Sequence, residues 1–76
     1  MGAAMDPILV FDTTHHAVWA EQIILDAGCA AEIQPAPAAA KAKCALAIAY
    51  VRAEEASVFS ALDRAGAPYR RYVPES

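Results

Sequence analysis

The sequence has little of what usually marks nucleic-acid binding or membrane insertion. Among its 76 residues are six basic and nine acidic side chains, which give a net charge of −3. Affinity for nucleic acids depends largely on basic side chains that contact phosphates, so we expect no nucleic-acid partner. No apolar run approaches the roughly 20 residues that a membrane-spanning helix needs, so we expect no membrane association either.

Cysteine is also scarce, and two cysteines make no disulfide framework. Residues 1–6 show neither the basic segment nor the apolar core of a secretion signal. We therefore expect a cytoplasmic protein in which Cys29 and Cys44 are both free thiols. We predict that residues 1–6 form a flexible N-terminal tail and that residues 7–76 form one domain.

Apolar runs and helical spacings predict six elements in the order β-α-β-β-α-β. The predicted strands are residues 7–12, 29–34, 44–51 and 69–73, and the predicted helices are residues 15–27 and 53–65. Gly28 and Gly66 stand where left-handed residues commonly end helices. This order predicts an α+β, ferredoxin-like fold, with an antiparallel four-stranded sheet and both helices on one face. Right-handed crossovers give the sheet order 4-1-3-2.

The predicted third strand alternates large side chains with alanines at positions 45, 47 and 49. If the large side chains face the helices, the alanines form an apolar face on the other side of the sheet. An outward sheet face is normally polar, and an exposed apolar one indicates an interaction surface. We therefore predict self-association, as a homodimer, through this alanine face.

The predicted topology gathers several reactive side chains at one edge of the sheet. The end of the first strand, the start of the first helix and the start of the third strand share that edge, which brings Thr14, His15 and His16 close to Cys44. Cys29 lies at the opposite edge, beyond the roughly 7 Å between Cα atoms that a disulfide allows.

Cys44 therefore has two interpretations. The positive pole of the helix, His15, and the lysines Lys41 and Lys43 would favour its thiolate, the form that attacks sulfur or binds a soft metal. Alternatively, Cys44 is a small apolar residue of a core strand. The histidines His15 and His16 are either a solvated first helical turn, a base or hydrogen-bond donor for the thiol, or ligands of a soft metal held with Cys44.

Two stretches of the chain resemble one family. Residues 10–21 (VFDTTHHAVWAE) and 43–48 (KCALAI), with Ala27-Gly28 between them, resemble the small bacterial selenium/sulfur carrier protein-like domains. The likeness covers residues 8–73. The family's Thr-His pair at the first helix is matched by Thr14 and His15, and its Ala-x-x-Ala-Glu run by residues 17–21. Its Cys-Gly pair at the third strand is matched by Cys44 alone, since Ala45 replaces the glycine.

The resemblance implies a sulfur or selenium carrier. Cys44 would accept sulfur from a donor protein as a persulfide and pass it to an acceptor protein by thiol exchange. Thr14, His15, His16 and Lys43 would support it, no cofactor would be needed, and the chain would be a relay rather than a turnover enzyme. Two other functions stay open: a non-catalytic ferredoxin-like binding or dimerisation module, and a soft-metal chaperone that uses Cys44 with His15 or His16.

Overall fold

The order of secondary-structure elements is β-α-β-β-α-β, as the sequence predicts. The computed structural model describes residues 7–73, so the predicted N-terminal tail, residues 1–6, lies outside the described residues, as do residues 74–76. The elements are β1 (Ile8–Val10), α1 (Thr14–Asp26), β2 (Ala31–Pro35), β3 (Leu46–Tyr50), α2 (Glu55–Ala65) and β4 (Arg70–Tyr72). Short 3-10 turns at Ala38–Ala40 and Arg52–Glu54 precede β3 and α2.

The four strands form one antiparallel sheet in the order β2-β3-β1-β4. This order is the predicted 4-1-3-2 counted from the other side of the sheet. Leu9 of β1 lies opposite Ile48 of β3 and opposite Arg71 of β4, which fixes the register of the central strands. The predicted α+β class and ferredoxin-like arrangement are therefore confirmed.

Both helices pack on the same face of the sheet. Ala17, Ala20 and Ile24 of α1 are fully buried there, as are Val58 and Leu62 of α2. These side chains form one apolar cluster with side chains of the sheet, including Leu9, Ile48 and Tyr50. The alanines of α1 let the helix approach the sheet closely, because their methyl groups are too small to hold the two backbones apart.

The opposite face of the sheet is covered in part by the chain itself, which corrects one expectation. Ala47 is fully buried in a second apolar cluster with Ile8, Val10 and Ala40, and Ala40 belongs to the 3-10 turn between β2 and β3. The side chain of Arg70 in β4 donates to the carbonyl of Ala40 and fastens this turn to the sheet. The prediction of an uncovered alanine face was therefore wrong at Ala47, whereas Ala49 is half-buried. The homodimer stays a prediction.

The two glycines end the helices as predicted. Gly28 and Gly66 have φ angles of 83° and 77°, in the left-handed region that side chains with a Cβ seldom adopt. The amide of Ala67 returns to the carbonyl of Leu62, and that of Cys29 to the carbonyl of Ile24, so both helix ends keep their carbonyls bonded. Within residues 7–73, no helix is long and apolar enough to cross a bilayer.

Candidate functional site

The backbone of Cys44 lies against the end of β1. Its amide donates to the carbonyl of Phe11 at 3.1 Å, and it precedes β3, which begins at Leu46. The predicted third strand therefore starts two residues too early, because residues 44 and 45 are outside the ladder: Cys44 bonds Phe11, and the carbonyl of Ala45 accepts from Ala36. The predicted meeting of Cys44 with the end of the first strand is nonetheless present.

The sulfur of Cys44 has two polar neighbours. The amide of Leu46 donates to Sγ at 3.2 Å, and the thiol contacts the hydroxyl of Thr14 at 3.6 Å. Leu46 places its amide there because the chain turns into β3 directly after Cys44. A donor fixed at the sulfur matches the anionic states of a cysteine, since a thiolate or persulfide can only accept. No residue type in the sequence indicates this contact, because the donor is a backbone amide.

Cys44 is nevertheless buried, with 4% of its surface exposed, and it belongs to the apolar cluster beneath the helices. Thr14, the residue that its thiol meets, is exposed. The buried sulfur thus contacts a side chain that is itself exposed at the molecular surface. Its setting combines both interpretations of the sequence: apolar packing on one side and a polar helix end on the other.

The start of α1 supplies the polar side of this site. Thr13 is the N-cap, and its side chain accepts from the amide of His16 at 3.1 Å while its carbonyl accepts from Ala17. The first four amides of a helix have no partner within it, so those of Thr14 and His15 remain to face an acceptor outside the helix. Together with the helix dipole they create a positive potential beside Cys44.

The two histidines lie on different parts of this helix end. His15 is exposed, whereas His16 is half-buried, and their ring centroids are 6.3 Å apart. Nδ1 of His16 is buried and has no hydrogen-bond partner among the described residues. Within residues 7–73, no hydrogen bond joins either imidazole, or the exposed Lys43, to the Cys44 sulfur, whereas Thr14 makes one. Of the four predicted supporting residues, the structure brings Thr14 to the thiol directly.

An exposed groove continues from the histidines along α1. Its volume is about 540 Å³, and it is lined by His15, His16, Val18, Trp19 and Gln22. Val18 and Trp19 are unusually exposed for large apolar side chains, at 50% and 40%. The groove therefore offers apolar contact area beside the helix end at which Cys44 lies.

Metal binding receives no geometric support in the described part of the chain. Residues 7–73 contain no group of three or more His, Cys, Asp or Glu side chains that could hold an ion. Cys29 does not join Cys44, because its amide bonds Ile24 at the far end of α1, and both cysteines are free. The soft-metal chaperone would have to complete its ligand set from elsewhere.

A second polar cluster lies at the opposite end of the sheet, where β3 ends and α2 begins. Glu55, at the start of α2, accepts from the Tyr50 hydroxyl and pairs with Arg71 at 2.7 Å. Burial and the bond to Glu55 raise the pKa of Tyr50 to about 12, whereas the bonds from Tyr50 and Arg71 hold the pKa of Glu55 below its ordinary value. The cluster joins α2 to β3 and β4 at the end of the sheet that is far from Cys44.

Fold and site together describe a small ferredoxin-like domain with a single thiol held at a helix N-terminus. A family model described as "Putative Se/S carrier protein-like" matches residues 6–74, nearly the whole chain, and the chain belongs to this family. Neither the curated proteins nor the solved structures contain a match.

Proposed function

We propose that this protein carries sulfur or selenium and that Cys44 is the carrying residue. The observation that carries the proposal is the pair of contacts at its sulfur, from the Leu46 amide at 3.2 Å and to the Thr14 hydroxyl at 3.6 Å. The family name agrees with it. A purely structural cysteine would need neither a directed amide nor a hydroxyl at the end of a helix.

The chemistry that we propose is two successive thiol exchanges. The Cys44 thiolate attacks the terminal sulfur of a donor persulfide, its S–S bond breaks, and the donor leaves as a thiolate. Cys44 then holds the new S–S bond. An acceptor thiolate attacks the outer sulfur of Cys44, takes it as its own persulfide and releases the Cys44 thiolate. Each S–S bond that breaks is replaced by one that forms, so no oxidant or reductant is consumed.

Each polar neighbour has a role in this cycle. The Leu46 amide remains a donor to Sγ in every state. The Thr14 hydroxyl can accept from the neutral thiol and donate to an anionic sulfur, because a hydroxyl rotates to suit its partner. The amides of Thr14 and His15, which have no partner within α1, are available as donors to an anionic sulfur at this helix end. Free thiols are required throughout, which is why we place this cycle in the reducing cytoplasm.

The test is sulfur loading measured by intact mass. The protein is incubated with a cysteine desulfurase and cysteine, and separately with a small-molecule persulfide donor, and its mass is recorded under non-reducing conditions. We expect one added sulfur atom in the wild type and in Cys29→Ala, and none in Cys44→Ala. Cys29→Ala is the matched control, since it removes the other buried thiol. An unchanged mass with both donors, or equal loading of Cys44→Ala, would reject the proposal.

A further inference from the structure

Charge is distributed unevenly between the two ends of the sheet. Among residues 7–73, the end at which Cys44 lies carries four basic and two acidic side chains: Lys41, Lys43, Arg64, Arg70, Asp12 and Asp63. The other end carries the opposite balance over the same residues, namely Arg52, Arg71, Asp26, Glu32, Glu54 and Glu55, whereas Glu21 lies midway along α1. A chain of net charge −3 thus has a positive end, and Cys44 is at that end.

Three of these basic side chains surround the segment that leads into Cys44. Arg70 reaches the Ala40 carbonyl, Lys41 is the next residue along the chain, and Lys43 directly precedes Cys44. Lys41, Lys43 and Arg70 are all exposed. Over residues 7–73, the only ion pair joins Arg71 to Glu55 at the other end, so none of the three is neutralised by a described carboxylate.

The two acidic side chains at this end offset only half of its four positive charges. Asp63 lies at the end of α2, beside Arg64 in sequence, and accepts from the Tyr69 hydroxyl at 2.9 Å. Asp12 is exposed directly after β1. The dipole of α1 adds further positive potential beside Cys44. Such a field around one edge attracts negatively charged partners and speeds their association.

We propose that the positive edge formed by Lys41, Lys43 and Arg70 is the docking surface for an acidic patch around the thiol of a sulfur-transfer protein. This inference rests on the proposed function, because a transfer partner must bring its own sulfur to Cys44. Charge complementarity selects an acidic partner. It disfavours a second copy docked by the same edge, since two positive edges repel each other.

The test uses synthetic peptides instead of an unidentified partner. Each peptide contains one cysteine activated as a mixed disulfide with 2-thiopyridine, flanked by four glutamates in one peptide and by four glutamines in the other. The Cys44 thiolate attacks the peptide sulfur, a protein–peptide disulfide forms, and 2-thiopyridone is released and followed by its absorbance. All variants carry Cys29→Ala, so that only Cys44 reacts.

We expect the glutamate peptide to react several-fold faster than the glutamine peptide at low salt. A charge pair about 8 Å apart in water changes a rate roughly two- to threefold. Lys43→Gln should therefore lower the preference for the glutamate peptide by about that factor, and the double variant Lys41→Gln/Lys43→Gln should lower it further. Arg52→Gln removes the same charge at the other end and should change the preference little. The preference should also disappear at high salt, where screening acts over about 3 Å. The double variant leaves the Arg70 contact with Ala40 intact, which guards against loss of the fold.

The possible results separate the two proposals. Equal rates for the two peptides, or a preference that survives Lys41→Gln/Lys43→Gln, would overturn the docking surface and leave the carrier proposal standing. A Cys44 that reacts with neither peptide would overturn both, because a carrier's sulfur must be reachable by a partner's sulfur. A preference reduced equally by Arg52→Gln would show a general charge effect and would also overturn the docking surface.

Discussion

Removal of the Thr14 hydroxyl is the most direct perturbation of the Cys44 site. Thr14→Val keeps the shape of the side chain and its β-branch but removes the only side-chain hydroxyl that contacts the sulfur among the described residues. Thr14→Ser keeps the hydroxyl and removes the methyl group. The pair therefore separates hydrogen bonding from packing at the exposed residue that contacts Sγ.

The expected magnitude follows from the geometry of the contact. A hydrogen bond to a charged group contributes roughly 1.5–3 kcal/mol, and a sulfur contact of 3.6 Å from an exposed residue should fall below that range, at about 1 kcal/mol. At 1.4 kcal/mol for each factor of ten, Thr14→Val should destabilise the thiolate relative to the thiol by a factor of about five. The reaction of Cys44 should slow by roughly two- to threefold, because a less stabilised thiolate is also a stronger nucleophile. The free energy of unfolding should fall by only about 0.5 kcal/mol, since the neutral thiol bonds weakly.

The assay is the rate at which Cys44 is alkylated by iodoacetamide, an uncharged reagent, in a Cys29→Ala background, with denaturant unfolding as the stability control. We expect the rate of Thr14→Val to fall and that of Thr14→Ser to stay near the wild-type rate or exceed it, because loss of the methyl group opens the path to Sγ. Wild-type reactivity in Thr14→Val would refute the assigned role of the hydroxyl. An equal loss in both variants would show that packing, and not the hydrogen bond, controls the sulfur.

Three further predictions concern the scaffold. Thr13→Ala removes the N-cap of α1 and should lower the free energy of unfolding by about 1 kcal/mol, measured by urea denaturation; an unchanged midpoint would contradict the cap assignment. Leu62→Ala leaves a cavity at a fully buried position and should lower the free energy of unfolding by about 2–5 kcal/mol. Thermal unfolding would measure this loss, and a loss well under 1 kcal/mol would mean that α2 packs differently. The fold lowers the pKa of Glu55, so its ionised carboxylate stabilises the folded protein at pH values above 4.5, the ordinary pKa. This stabilisation is lost as the pH falls through the lowered pKa. The fold raises the pKa of Tyr50 to about 12, so its neutral hydroxyl stabilises the folded protein at pH values below 10, the ordinary pKa. This stabilisation is lost as the pH rises towards 12. Glu55→Gln should therefore flatten the acid limb of a stability–pH curve, and an unchanged limb would count against the Tyr50–Glu55–Arg71 cluster.

The sheet and helices could be predicted because their signals are local. Short apolar runs between turn residues indicate strands, and Gly28 and Gly66 mark helix ends whatever the tertiary structure is. The strand order then follows from the handedness of crossovers. These local signals and the crossover rule are enough to predict that Thr14 and Cys44 lie at the same end of the sheet.

The parts that could not be predicted depend on contacts without a residue signature. The turn Ala38–Ala40 covers Ala47 because Arg70, distant in sequence, bonds its last carbonyl, and a stretch of alanine and proline has no periodicity that would reveal this. The Leu46 amide at Sγ is likewise a property of the backbone path. The sequence leaves His16 as a solvated residue, a partner of the thiol or a ligand of a soft metal, and it contains no sign that Nδ1 is buried without a described partner.

Burial of Cys44 and transfer of sulfur are compatible on the carrier proposal, because the two transfers attack different atoms. Loading requires Sγ itself, and Cys44 as a whole is only 4% exposed, so a donor reaches the sulfur only after side chains in contact with it, Thr14 among them, have moved. Unloading requires only the outer sulfur, which lies about 2 Å further out along the new S–S bond. Loading should therefore be the slower of the two steps, and Thr14→Ser should accelerate loading more than unloading. A site built in this way protects the empty thiol from stray oxidants, while it presents the loaded sulfur to any acceptor that the basic edge can hold.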